Sequence, residues 1–362
     1  MGTMISSEDT MKDRLGKLKN KKIRNELLQG YIKKHISEKN LELITNCGSF
    51  LEFWTTETQD KSRLTKANYC KNRFCPMCAW RKSLKDSLRN RIILEHLGFE
   101  LNDPYRFLFL TLTIPNVRGD ELDNSIKHLY ESFKRLQQRK AFKDLSQGTI
   151  RKLEVTYQSH EFVTKENLKK YKKSGLKIGD KLSSYDTYHP HLHVLIAVNR
   201  SYFTDSKIYL SQKEWLKMWQ ETTKDNTITQ VDVKAVKELS KVNDMIAFDK
   251  VFKELSKYTA KDKDYLANGE DVFDFFYRSL KGKRIINYSG VFKTAKKLFD
   301  EGYLDHLKEN QDIIDEFVYK IIYFWKNKDY ERSEKLTLIT DEEKQKAKKY
   351  YEALYEVEEN DF

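Results

Sequence analysis

No stretch of this 362-residue chain approaches the ~20 consecutive apolar residues that a membrane-crossing helix requires. The N-terminus also lacks the apolar core of a secretory signal, so a cytosolic protein is expected. Gly2 and Ser6 fit the myristoylation pattern, but a pattern so short recurs by chance. The chain contains no G-x-x-x-x-G-K-[ST] run, and with it lacks the phosphate-cradling loop of a helicase. Cysteine is absent everywhere outside residues 47–78.

The content that is present fits a folded, basic protein. A hydrophobic share of 39% supports real cores, and the length suits two or three domains. Lys and Arg outnumber Asp and Glu by 67 to 55, giving a net charge of +12 that suits a polyanion partner. The basic charge is local: residues 61–91 hold ten Lys/Arg and one Asp, whereas residues 341–362 hold eight Asp/Glu and four Lys.

The four cysteines, Cys47, Cys70, Cys75 and Cys78, end in the run C-K-N-R-F-C-P-M-C. A cytosolic chain keeps thiols reduced, and C-x2-C places two thiolates on one tight turn, so a tetrahedral zinc site is expected. Four unrelated buried thiols are the alternative, and Cys47 stands furthest from the others. Arg73, Arg81, Lys82 and Lys85 flank this knuckle, followed by Arg89 and Arg91. All but Arg73 fall on an expected helix, and the whole reads as a DNA-docking module.

Residues 188–198 read Y-H-P-H-L-H-V-L-I-A-V. In an extended chain His189, His191 and His193 share one face and Leu192, Val194 and Ile196 the other. Imidazoles at i and i+2 on a rigid strand can converge on one divalent cation; a histidine-bearing edge strand facing water is the alternative.

Around that strand the periodicity predicts an N-terminal helical segment over 12–39 and strands at 106–113, 149–157 and 228–236. Amphipathic helices are expected at 120–140, after the Ser211 capping box, and over 243–265. Residues 163–186, lysine-rich and poor in apolar side chains, read as a loop or insertion. This order is that of a split βαβ, ferredoxin-like antiparallel sheet in an α+β protein. Pairing 149–157 with 190–198 would bring Glu154 beside His191 and His193, a set suited to Mn2+ or Mg2+. His189 and Glu161 are rivals for the third ligand. Glu254, Tyr258 and Lys261 lie on one face of the last helix, as they would on any Glu–Lys-laced surface helix. The segments expected are 1–40 (basic, helical), 41–95 (zinc module), 96–270 (catalytic) and 271–362. The last is mixed and largely helical, and its Tyr350, Tyr351, Leu354 and Tyr355 stripe serves either dimerisation or packing onto its own domain.

F-L-T-L-T-I-P-N, H-P-H-L-H-V-L and E-L-S-K-Y-T-A-K follow in that order behind R-F-C-P-M-C-A-W-R-K. K-L-E-V-T-Y and F-Y-R-S-L-K-G-K accompany them. From about Cys70 to about Gly290 the chain resembles the rolling-circle replication initiators of small Gram-positive plasmids, within the HUH endonucleases. The resemblance implies an ATP-independent DNA nicking-closing activity at a plasmid double-strand origin. His191 and His193 would bind the metal, Tyr258 would be the nucleophile, and Glu254 would activate water in the terminating step. It further implies a host helicase and DNA polymerase as partners. A relaxase usually carries its tyrosine ahead of the histidines, unlike Tyr258; a transposase of the class and a zinc-dependent, non-enzymatic DNA-binding regulator remain as alternatives.

Overall fold

The computed structural model describes residues 11–236, 255, 260–308 and 311–349. The first elements are helices α1 (Met11–Ile32) and α2 (Glu38–Asn46), strands β1 (Phe50–Thr55) and β2 (Ser62–Ala67), and helix α3 (Pro76–Glu95). Then come β3 (Arg106–Thr113), α4 (Leu122–Gln138), α5 (Lys140–Leu145), β4 (Gly148–Gln158), α6 (Leu168–Tyr171), β5 (Thr187–Val198), α7 (Gln212–Thr223) and β6 (Asp232–Val236). The remainder are α8 (Asp262–Leu266), α9 (Glu270–Leu280), β7 (Ile286–Tyr288), α10 (Val291–Asp300), β8 (Tyr319–Lys326), β9 (Asp329–Arg332), β10 (Thr337–Leu338) and α11 (Asp341–Lys349). The protein is α+β with antiparallel sheets and forms two compact units, Met1–Leu88 with Lys308–Phe362, and Arg89–Leu307.

In the second unit the strand order is β6-β3-β5-β4-β7, every pair antiparallel. One sheet face carries Leu108, Leu110, Leu112, Leu153, Val155, Leu192, Val194 and Ile196, all buried. Helix α4 covers it with Leu122, Ile126, Leu129, Phe133 and Leu136, the 3.6-period stripe read in the sequence. Arg151, on this face of β4, lies over the Tyr130 ring of α4 at 3.8 Å. Helix α7 opens on the expected capping box, with Ser211 and Glu214 each accepting from the other's backbone N–H. Its Trp219 donates Nε1–H to the Thr113 carbonyl at 2.7 Å. The opposite sheet face is apolar only at one end, where Phe107 meets Phe292 of α10 with ring centroids 5.9 Å apart. Towards the other end it turns polar. Gly290 (φ +54°) lets the start of α10 back onto the Gln147 carbonyl, which a Cβ would strike.

The first unit is built on a sheet of order β10-β8-β1-β2, with β9 hairpinned onto β8. Phe53 of β1, opposite Ile321, meets Tyr323 edge-on at 5.9 Å. Trp54, Ile314, Phe317 and Ile339 form a buried cluster, against which Ala347 of α11 packs. The α11 capping box at Thr340 and Glu343 forms as read. Residues 271–349 thus serve both units: β7 extends the second sheet, and β8–β10 complete the first.

Several elements differ from their sequence reading. The fourth strand of the second unit starts at Asp232, because Ile228 and Val231 are buried outside the sheet. The helix expected over 243–265 does not run unbroken to Tyr265: Lys261 has extended backbone (φ −68°, ψ 136°), and α8 starts afresh at Asp262. Glu254, Tyr258 and the rest of that segment apart from Leu255 and Ala260–Tyr265 lie outside the described residues, as does the Tyr350–Tyr355 stripe. The 163–186 insertion carries α6 and is anchored by a Phe162–Lys181 bridge and buried Val163 and Leu182. Among the described residues of 271–349 there are four strands besides three α-helices. Among the described residues no helix is long and apolar enough to cross a membrane.

Truncating Phe53, which is fully buried between strands, is expected to lower the stability of the first unit by about 3–5 kcal/mol in Phe53→Ala. Urea unfolding followed by tryptophan fluorescence measures this; a loss below about 1 kcal/mol would contradict a core at the β1–β8 junction.

Candidate metal centres

On the polar end of the second sheet, register pairs Glu154 with His191 and Lys152 with His193 across β4 and β5. On the other side, Thr113 pairs with His191 and Thr111 with His193 across β3 and β5. Residues directly opposite in an antiparallel pair share a face, so these side chains form one patch. Glu154, His191 and His193 are all buried. Glu154 Oε2 lies 2.8 Å from His193 Nε2 and 3.3 Å from His191 Nε2.

The outer ring nitrogens are occupied elsewhere: His191 Nδ1 is 3.2 Å from the His189 carbonyl, and His193 Nδ1 is 3.4 Å from Thr111 Oγ1. Since a carbonyl only accepts, His191 carries a proton on Nδ1, so its Nε2 offers a lone pair when the ring is neutral and a second N–H to the Glu154 carboxylate when the ring is protonated. Two nitrogen lone pairs and a carboxylate facing one another repel unless a proton or a cation sits between them. A divalent cation fits this donor set, with the outer hydrogen bonds fixing ring orientation as they do for metal-bound histidines. The Phe109 ring stacks on His193 at 5.6 Å and walls one side.

Electrostatics follow the same geometry. Burial pushes the Glu154 carboxyl up, but hydrogen bonds and charge from His191 and His193 outweigh it and hold it well below the usual carboxylate range. His189, stacked on His191 at 5.2 Å between ring centroids, is lowered to about 4, by burial first and then by His191. It lies outside the Glu154–His191–His193 grouping, as does Glu161, which pairs with Lys181 at 2.8 Å. Lys261 is exposed. Two residues outside the candidate ligand and catalytic sets join the neighbourhood. Lys152 is buried on the same sheet face. Asp264 of α8 is pushed up to about 6 by burial, against the pull of Lys261 and Lys263 and with the Glu154 charge adding to the rise.

In the first unit the four cysteines close on one another: Cys47 Sγ lies 3.5 Å from Cys75 Sγ and 3.6 Å from Cys78 Sγ, and Cys70 Sγ lies 3.6 Å from Cys78 Sγ. All four are free thiols. Such spacing is that of four ligands around one tetrahedral ion, and an all-sulfur set matches zinc. Cys75 enters from the turn before α3 and Cys78 from its first turn, while Cys47 ends α2, so the C-x2-C pair and the distant Cys47 meet as read. Hydrogen bonds from Cys47, Cys70 and Cys78 pull the Cys75 thiol down, and those with Cys70, Cys75 and Cys78 push Cys47 up. Four packed thiols cannot all ionise without a cation. Backbone N–H groups of Lys71 and Cys70 donate to Cys78 Sγ (3.2 Å) and Cys47 Sγ (3.5 Å).

The basic residues beside this cluster are partly committed. Arg73 is exposed; Arg81 stacks over the Tyr69 ring at 4.7 Å, Lys82 pairs with Asp86 at 2.9 Å, and Lys85 is half-buried.

The depressed Glu154 carboxyl stabilises the fold fully above its unfolded value of 4.5, and the contribution disappears as pH falls through the folded value. The lowered His189 acts in the same direction between 6.5 and about 4, because the unfolded chain takes up that proton first. Metal-free protein should therefore lose stability on acidification from about pH 6.5. Glu154→Gln should cost about 1.5–3 kcal/mol at pH 7 and flatten the part of the curve below pH 4.5. Thermal unfolding across pH measures both, and an unchanged curve in Glu154→Gln would refute the assigned charge.

A profile of the replication protein family matches residues 61–333. Protein rep of Staphylococcus aureus is 42% identical over 248 residues, covering 68% of this chain and 93% of that protein. Protein rep of Streptococcus pneumoniae serotype 2 is 33% identical over 291 residues, 79% of this chain and 81% of that protein. Protein rep of Bacillus amyloliquefaciens is 32% identical over 310 residues, 79% and 82% respectively. No solved structure matches the chain significantly. With the family profile spanning most of its length and curated relatives aligned over two thirds or more of both partners, the chain belongs to the replication protein family, the plasmid replication initiators.

Proposed function

We propose that this protein initiates rolling-circle replication by nicking one strand of a plasmid double-strand origin. The convergence of Glu154, His191 and His193 on one polar sheet face carries the reading. In the βαββαβ order the central strands lie fourth–first–third–second, the arrangement of a ferredoxin-like split βαβ sheet, which supports an HUH endonuclease core.

Glu154, His191 and His193 would hold Mn2+ or Mg2+, which when bound supplies Lewis-acid stabilisation of charge developing on the scissile phosphate. The rigid β4–β5 pair presets the three donors, so little ordering is left to the reaction itself. Tyr258 provides the phenol oxygen that displaces the 3′-oxygen, leaving a 5′-phosphotyrosine and a free 3′-OH. Phosphodiester energy is retained, rejoining needs no nucleotide, and the 3′-OH primes a host DNA polymerase behind a host helicase. Glu254 acts later as general base for water, so that a second cleavage is hydrolytic and ends the cycle. Lys261, three residues after Tyr258 in the sequence, would add positive charge to this segment.

Cys47, Cys70, Cys75 and Cys78 would hold a structural Zn2+, presenting Arg73, Arg81, Lys82 and Lys85 to origin DNA in the cytoplasm. The experiment pairs two readouts on a supercoiled origin plasmid. His191→Ala and His193→Ala should each abolish Mn2+-dependent nicked circles, by a factor of at least about 10³ if the metal term is lost, while duplex binding stays within about threefold. Equal loss of both, or no nicking by wild type with any divalent ion, would favour a non-enzymatic DNA-binding regulator.

A further inference from the structure

Two side chains of α1 stand behind the tetrathiolate cluster. Lys22 is 2% exposed and Asn25 fully buried. They occupy the stripe that α1 buries, between Leu18 and Leu28, where packing alone would favour apolar side chains. Lys22 Nζ donates to the carbonyl oxygens of Thr45 at 2.7 Å and Cys47 at 2.8 Å, and to Asn25 Oδ1 at 3.4 Å. Asn25 Nδ2 donates to Cys75 Sγ at 3.3 Å, and its Oδ1 also accepts from Gln29 Nε2 at 3.2 Å.

The ammonium's three donors are thus used, but every acceptor is neutral. Hydrogen bonds satisfy its protons without balancing its charge, and a buried charge left unbalanced is costly. Glu26, one turn along the same helix, accepts from Trp325 Nε1 at 2.8 Å, and its carboxylate charge also acts on Lys22, behind that of Cys47. Further negative charge is available from the sulfurs. Four thiolates around one Zn2+ carry a net double negative charge, and the cation sits on the backbone carbonyl of one ligand while its amide neighbour sits on the sulfur of another.

We propose that Lys22 and Asn25 are the positioning residues of the tetrathiolate site. Lys22 offsets the charge of the metal–thiolate group, Asn25 fixes the Cys75 sulfur, and together they couple docking of the basic helix α1 to metal loading. The inference rests on the zinc reading of the four cysteines. It departs from the usual view of a lysine-rich helix as a solvated one, because the charge in question is the single buried cation of α1's inner stripe among the described residues. Outer hydrogen-bonding partners of metal ligands are worth about 10–100-fold in metal affinity.

Zinc affinity of the full chain, measured by chelator competition after refolding in the presence of metal, tests the charge. Lys22→Met should bind about 10–100-fold more weakly. Lys22→Arg, which keeps the charge, should bind zinc more tightly than Lys22→Met, recovering part of the lost affinity. Lys39→Met, which removes an equal charge from an exposed position, should be unchanged. Co2+ substitution tests the sulfur contact: Asn25→Leu should shift the sulfur-to-cobalt absorption band, because a hydrogen bond to a thiolate lowers its donor level. Chelation should also speed trypsin cleavage within α1 in the wild type. Lys22→Met with wild-type affinity, or Lys22→Arg as weak as Lys22→Met, overturns the charge role; an unmoved cobalt spectrum in Asn25→Leu overturns the sulfur contact. A wild-type chain that binds neither Zn2+ nor Co2+ overturns the tetrathiolate reading itself, which differs from a metal-binding wild type with indifferent Lys22 variants.

Discussion

The antiparallel register of β4 against β5 is the constraint on which the second unit's candidate metal site depends. It places Glu154 opposite His191 and one pair away from His193, so a single carboxylate oxygen falls between two imidazole nitrogens. Side chains in a strand alternate with period two, and a slip of β5 by one residue against β4 would turn both histidines away from the face that carries Glu154. The apolar set on that other face prevents the slip. Leu153, Val155, Leu192, Val194 and Ile196 are buried beneath α4, and exposing them to gain a different pairing would forfeit roughly 1.5–3 kcal/mol for each side chain. The helices that hold the register therefore also set the site, from the far side of the sheet.

The two centres divide along ligand chemistry. Four thiolates are soft donors that can enclose an ion completely, as suits a structural metal, whereas two imidazoles and one carboxylate would leave coordination positions open. Each centre arises from a different local rule. The sulfur cluster draws on a tight C-x2-C turn at the start of α3 joined by Cys47 from the end of α2, and the histidine site on the flat spacing of three neighbouring strands. In both, atoms beyond the ligands settle the geometry: backbone N–H groups and Asn25 on the sulfurs, the His189 carbonyl and Thr111 on the imidazoles.

Alternation and amphipathic spacing made the second unit largely readable from the sequence. R-F-L-F-L-T-L-T, K-L-E-V-T-Y and H-P-H-L-H-V-L are strands, the stripe from Leu122 to Leu136 is a helix, and Glu154 meets both histidines on the polar faces that alternation marks in each strand. The first unit was not readable in this way. Its central pair, β1 and β8, joins segments more than 250 residues apart, and no local periodicity encodes a partner at that distance. Lys22 was hidden by its company, since a lysine in a run of lysines gives no sign of which one turns inward. The break at Lys261 escaped for a related reason: with no glycine or proline to mark it, the apolar spacing through Tyr265 reads as one continuous helix.

Pulsed electron paramagnetic resonance of the Mn2+-loaded protein, with the thiolate site already filled by Zn2+, tests the central claim most directly. If Glu154, His191 and His193 share one divalent ion, the wild-type spectrum will show coupling to two imidazole nitrogens, His191→Ala and His193→Ala will each remove one, and Glu154→Gln will weaken binding while leaving both couplings. Stoichiometric Mn2+ without nitrogen coupling, or couplings that survive both histidine substitutions, would contradict it.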